Sequence, residues 1–269
     1  VCVSADPAAD VHLRQRAENL ATQLALPLAL ESPGPADADL LLTATSARLE
    51  LRVLGGDPTI RGGHPVACEL TTIDTTSPPG RSLQQPLLKA LGIRRGSAYR
   101  PTILDATAGY GEDAYLAASM GCSVLAVERH PIMAALLDDG VKRAVAQHPH
   151  LASRLKVMHR HSRELLQSII DESFTPRDAA ALGPFDVVYL DPMFPSGRKT
   201  AERKAMKVAR WLVGGDEDAP DLLALARQVA RKRVVVKRPL HAPTLDEHAP
   251  DVVHRGKSLR FDVYLTHRA

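Results

Sequence analysis

The chain has 269 residues, 45% of them hydrophobic and 24% charged, which is enough apolar material for a sizeable core and ordinary for a globular protein in water. No apolar run approaches the roughly 18 to 20 residues that cross a bilayer, and the opening VCVSADPAAD lacks the basic and continuously apolar parts of a secretion signal, so a cytoplasmic location is expected. The net charge of +3 is too mild to mark a nucleic-acid binder, and Cys2, Cys68 and Cys122 are too scattered for a disulfide framework or a paired-ligand metal site.

In chain order, residues 1–97 read as a small α+β domain. The pattern predicts a helix over Val11–Leu24, strands over Leu40–Ala44, Arg48–Val53 and Val66–Leu70, and Gly/Pro-rich loops between them. After Ser77-Pro78-Pro79-Gly80, a helix over Leu83–Leu91 leads into a second unit, residues 98–269. There, short apolar runs alternate with amphipathic stretches. Strands are predicted over Thr102–Asp105, Ser123–Glu128, Leu155–His159, Phe185–Asp191, Arg233–Arg238 and Leu259–Leu265. Helices are predicted over Asp113–Met120, Pro131–Gln147, Ser162–Phe174 and Asp221–Arg231. Such alternation implies βαβ units and a Rossmann-like α/β fold with a mostly parallel sheet.

The first of these strands runs into Ala106-Thr107-Ala108-Gly109-Tyr110-Gly111-Glu112-Asp113, a glycine-bearing loop where a doubly wound sheet binds its ligand. Gly109 and Gly111 let the backbone approach that ligand. The spacing also satisfies a dinucleotide fingerprint, which makes a nicotinamide or flavin oxidoreductase the rival class. Charge argues the other way. A pyrophosphate needs a helix start free of anions, whereas Asp105, Glu112 and Asp113 crowd this one and suit the sulfonium and ammonium of S-adenosylmethionine (SAM). Glu128, ending the next strand, can accept hydrogen bonds from ribose hydroxyls of either cofactor, or be a turn residue. Asp105 and Asp113 also suit helix capping, and Ser162 suits either an N-cap or the adenine pocket.

Val187-Val188-Tyr189-Leu190-Asp191-Pro192-Met193-Phe194-Pro195 carries the chemistry of the acceptor. Its two prolines stiffen the loop around the aromatic residue. The Asp191 carboxylate and the Pro192 carbonyl can accept the N–H groups of an exocyclic amine, and Phe194 offers a stacking face for a base. Asp191, Pro192 and Phe194 are therefore the candidate catalytic residues, for an amine on a nucleic-acid base or on a small molecule. Two basic runs, Arg198–Arg210 and Arg227–Arg238, are either solvated helix faces or the source of the candidate RNA contacts Lys199, Arg203, Lys204, Lys237 and Arg238.

Asp105–Asp113, Val127–Pro131, Ala134–Gly140, Tyr189-Leu-Asp-Pro-Met-Phe-Pro195 and Val234–Pro239 together resemble the bacterial 16S rRNA guanine-N2 methyltransferase J family. Leu49–Arg52 and Arg260–Tyr264 extend the likeness over nearly the whole chain. The resemblance implies a class I methyltransferase sheet, SAM as cofactor, and contacts to it from Glu112, Asp113, Glu128, Arg129, Ser162 and Asp191. It also implies 16S rRNA or the small ribosomal subunit as partner and N2-methylguanosine as product. The chain departs from the family pattern at Thr75–Arg81, His161 and Ser196-Gly197.

Overall fold

Short apolar runs rich in valine and leucine set the strand framework. The computed structural model describes residues 1–6, 9–29, 38–174, 184–193 and 203–266. Its elements are β1 (Cys2–Ala5), α1 (Val11–Leu24), β2 (Leu40–Ala44), β3 (Leu49–Val53), α2 (Pro86–Ala90), β4 (Thr102–Asp105), α3 (Glu112–Ser119), β5 (Ser123–Glu128) and α4 (Pro131–Gln147). They continue with β6 (Leu155–His159), α5 (Ser162–Ile170), β7 (Val187–Leu190), α6 (Lys204–Val213), α7 (Ala219–Val229), β8 (Arg233–Pro239), β9 (Val252–Arg255) and β10 (Leu259–Leu265).

Seven strands form one sheet in the order β6-β5-β4-β7-β8-β10-β9. The first five pair in parallel, and β10 enters antiparallel between β8 and β9. The winding reverses at β4, which has β5 on one side and β7 on the other. Ligands of such sheets bind at that reversal, beyond the carboxyl ends of the strands.

Both faces of the sheet are covered, which is why its strands read as continuous apolar runs and not as alternation. Ile103, Val124, Ala126, Val187, Tyr189 and Val235 face one core, packed by α2, α3 and α4. Leu104, Leu125, Val127, Val188, Leu190, Val234 and Val236 face the other, packed by α5 and α7. A second sheet, β1-β2-β3, packs with α1 against Ile132, Met133 and Leu136 of α4 and Val208 and Ala209 of α6.

Five elements, α1, β2, β4, β5 and α4, coincide with the sequence expectation, as do β6 and β10. Others differ for local reasons. Val66 makes a single bridge to Leu51, and instead of a strand to Leu70 the chain forms a turn of 3-10 helix at Leu70–Thr72. The expected helix Leu83–Leu91 shortens to Pro86–Ala90, because Pro86 sets its first turn. α3 begins at Glu112, capped by Gly111 in the left-handed region (φ 74°). α7 starts at Ala219, two residues early, with Pro220 in its first turn, and α5 ends at Ile170. Strand β7 is shorter than Phe185–Asp191, since the Asp191 N–H turns aside to Thr107 Oγ1 (2.6 Å). Strands β1 and β9 and helix α6 lay outside the expectation. The described residues contain no helix long and apolar enough to cross a membrane.

Candidate active site

The glycine loop begins where β4 ends. Ala106 N–H donates to the Tyr189 carbonyl (3.0 Å), Ala108 N–H to Val127 (3.0 Å) and Gly111 N–H to Ala108 (2.7 Å), so the loop is laced to the ends of β7 and β5. Gly109 has φ 53°, and a Cβ built there would meet nothing within 4 Å, leaving its backbone open to a ligand. Gly111 has the opposite reason to be glycine: a Cβ would lie 2.4 Å from Leu137 Cδ1 of α4.

The side chains that could have been helix caps do something else. Asp105 is buried and accepts the Thr107 N–H (3.2 Å), and burial pushes its carboxyl well above the usual range. Asp113 accepts from the Tyr189 hydroxyl (2.5 Å) and from Lys237 Nζ (2.8 Å). Ser162 is the first residue of α5 and not its cap, and its hydroxyl donates to the Ala106 carbonyl. Glu128 accepts the N–H of Gly109 (2.9 Å) on one oxygen and of His130 (2.8 Å) on the other, with burial raising its pKa. Arg129 reaches across to the linker before α7, pairing with Asp216 and, at 3.6 Å, with Asp218.

These groups line one cavity of about 460 Å³, a size suited to a small-molecule cofactor. Asp105, Gly109, Gly111, Glu112, Asp113, Glu128, Arg129, Ser162 and Asp191 all border it, as do Pro192 and Met193. Asp191 keeps a third of its side chain exposed, yet protein surrounds it otherwise. Burial pushes its carboxyl up to about 6, Lys237 pulls it down, and Asp113 and Asp216 push it up again. Phe194 and Lys199 lie outside the described residues.

The basic candidates do not behave alike. Arg203 is exposed at the start of α6. Lys204 donates to the carbonyls of Gly62 and His64, tying α6 to the loop after β3. Lys237 and Arg238, expected to contact RNA, are both engaged within the fold. Lys237 points into the cavity and pairs with Asp113 and Asp191, while Arg238 is buried and donates to the Pro243 carbonyl (2.6 and 3.0 Å). A cation already paired inside the fold has little to offer a phosphate.

Three contributors were not anticipated. Tyr189 carried one signal, since a buried tyrosine hydroxyl needs a partner. Thr107 and Asp216 carried none. Asp216 accepts the Met193 N–H (2.5 Å) while paired with Arg129, so it joins the acceptor loop to the end of β5.

The donor set fits SAM. Carboxylates at the helix start suit its positive groups, and Ala106, Val127, Met133 and Leu222 give apolar walls. A pyrophosphate would instead meet Glu112 and Asp113, with Arg129 and Lys237 already held by carboxylates. This is the site of a SAM-dependent methyltransferase, and sequence comparison agrees. A family model described as "Putative SAM-dependent methyltransferase" matches residues 23–266, and the chain belongs to that family. Similar proteins include ribosomal RNA small subunit methyltransferase J of Coxiella burnetii, 40% identical over 93% of this chain and 91% of that protein. The enzyme of the same name from Thioalkalivibrio sulfidiphilus is 42% identical over 94% of each. That from Edwardsiella ictaluri is 45% identical over 85% of this chain and 87% of its own. The crystal structure of a SAM-dependent methyltransferase from Neisseria gonorrhoeae superposes with a TM-score of 0.69 at 29% identity, covering 100% of this chain and 97% of that one.

Proposed function

We propose that this protein transfers a methyl group from SAM to the exocyclic N2 amine of a guanosine in 16S ribosomal RNA, in the cytoplasm. The observation that carries the reading is the Asp191 carboxylate, partly open to the cavity and adjoining the cofactor-type loop, in a chain 40% to 45% identical to small-subunit rRNA methyltransferases. The choice of guanine rests on the family likeness, because the same acceptors suit adenine and cytosine amines. Residues 1–97 are read as an appendage whose last part supplies Cys68, Leu70, Leu87, Leu88, Leu91 and Ile93 to the core under the larger sheet.

When bound, SAM supplies an electrophilic methyl on a sulfonium. Glu128 would hold the ribose, and Asp105, Glu112 and Asp113 would favour the positively charged groups, with Ser162 and Arg129 shaping the walls. The base amine is a weak nucleophile because its lone pair is delocalised into the ring. Accepted N–H bonds at Asp191 and at the Pro192 carbonyl would favour the pyramidal geometry that attacks, with Phe194 as the stacking face. The proton released on methylation would pass to Asp191 and then to water. Orientation and exclusion of water supply the acceleration, since no covalent enzyme intermediate is needed. Lys199 and Arg203 would grip RNA phosphates around the extruded base, with Lys204 holding α6 in place beside them.

Mass analysis of nucleosides from small-subunit rRNA tests the function. A strain lacking the gene should lose one N2-methylguanosine, regain it with the wild-type gene and fail to regain it with Asp191→Asn. An unchanged complement of N2-methylguanosine would overturn the reading.

A further inference from the structure

Lys237 stands at the end of a valine run where the strand leaves the core. Val234 and Val236 face the α5–α7 side, so Val235 and Lys237 fall on the side of α3. There Lys237 Nζ lies 2.8 Å from Asp113 Oδ2 and 3.0 Å from Asp191 Oδ2, with 21% of its side chain exposed. The Tyr189 hydroxyl donates to the same Asp113 oxygen. The groups facing Asp191 are thus Lys237 from β8, Asp113 from α3, Asp105 from β4, Tyr189 from β7 and Asp216 from the linker before α7. Of these only Lys237 is a cation.

Resting on the reading of Asp191 as the amine acceptor, we infer that Lys237 is the positioning residue of this site: its ammonium bridges Asp113 and Asp191, fixes the direction of the Asp191 carboxylate and keeps it ionised where transfer runs. The acceptor loop itself is tethered through backbone N–H groups, Asp191 to Thr107 and Met193 to Asp216. Neither tether orients the carboxylate. The ammonium does, and it also offsets the repulsion of Asp191 by Asp113 and Asp216. Burial disfavours the charged lysine, but two carboxylates within 3.0 Å hold its pKa above the ordinary value.

The test reads the titration of Asp191 directly, without cofactor or RNA. Protein carrying 13C-carboxyl aspartate is titrated by NMR, with the Asp191 signal assigned by its loss in Asp191→Asn. In Lys237→Met the midpoint should rise by about 1 to 3 pH units, the usual effect of an opposite charge at this range. Lys237→Arg should restore most of the shift. Asp113→Asn, which removes a repelling charge and leaves the ammonium to Asp191 alone, should move the midpoint down. The acid limb of the methyl-transfer rate should move in the same directions. An unmoved midpoint in a Lys237→Met protein with wild-type melting and circular dichroism would overturn the inference. So would weaker RNA binding and a flatter salt dependence in that variant with the midpoint unchanged, the signature of a phosphate contact. Should Lys237→Met fail to fold, Asp113→Asn decides: a midpoint that stays or rises overturns the inference. Shifts as expected in a wild type inactive on rRNA would sink the acceptor reading and leave the bridge standing.

Discussion

On the proposed reading Asp191 accepts from Lys237 on one oxygen and from the amine with its carboxylate ionised, so its charge state would govern the rate. Its carboxyl is pushed up to about 6, chiefly by burial. For an acid the sign is plain: below that pH one oxygen carries a proton and becomes a donor, so transfer weakens as pH falls. The rate with saturating cofactor and RNA should therefore drop by about tenfold per pH unit well below 6 and level off above about 7. Asp191→Asn should lower the plateau by roughly 100- to 10,000-fold and abolish that limb. A wild-type plateau in the variant would remove Asp191 from the chemistry. Glu128 makes a different demand. Its carboxylate already accepts two backbone N–H groups, which aims it at the cavity before any ribose arrives. Glu128→Ala should weaken SAM binding by about 1 to 3 kcal/mol in calorimetry, and unchanged affinity would leave it a turn residue only.

Helix α4 shows how one element positions two sheets. Pro131 occupies its first turn, and its buried residues pack towards the large sheet through Leu137, Val141 and Ala144 and towards the small one through Ile132, Met133 and Leu136. Gly140 lets the connecting segment cross it, since a Cβ there would lie 2.3 Å from Cys68 Sγ and 2.8 Å from Cys68 Cβ. Arg143, one turn on, donates to the Cys68 carbonyl and pairs with Asp139 and Glu69. In an exposed helix, alanine would be about 1 kcal/mol better than glycine. Here the sign reverses. Gly140→Ala should destabilise the protein by roughly 1 to 2 kcal/mol in denaturant titration, because the crossing backbone must shift. A more stable variant would mean that the Cys68 segment yields freely.

Across the whole molecule, the small sheet and the active site meet at α6. Its Val208 and Ala209 join the core of β1-β2-β3, Trp211 packs on Gly56, and Lys204 and Lys207 hold the loop Thr59–His64. The helix also follows the acceptor loop in the chain and brings its basic face to the cavity. Met206, Ala209, Arg210 and Val213 line it. RNA affinity should then fall with salt. Replacing Lys199 and Arg203 by alanine, while keeping the structurally engaged Lys204, should flatten the log–log salt slope by roughly 0.7 per lost contact and leave SAM affinity unchanged. Parallel lines of equal intercept for wild type and variant would move the RNA face elsewhere.

Most strands of the large sheet, the glycine loop and the acid set around it were legible from residue order alone, because they depend on local rules. A valine run buried on both faces reads as an inner strand, a glycine at the strand-to-helix turn reads as a close approach, and an aspartate-proline pair reads as a stiff strand end. The expected strands β4, β5, β6 and β10 match residue for residue for that reason. Partners across the sheet were not legible. Lys237 looked like one more cation of a basic run until the register of β8 beside β7 brought it to Asp191, and Arg238 until its fold back onto Pro243 buried it. Asp216 and Thr107 sit 25 and 84 residues from Asp191, and nothing local marks either. Charge sign and spacing along the chain determine which chemistry is available; only the tertiary packing decides which charges neutralise one another and which remain for a substrate, since Coulomb interaction and desolvation depend on distance and burial in space.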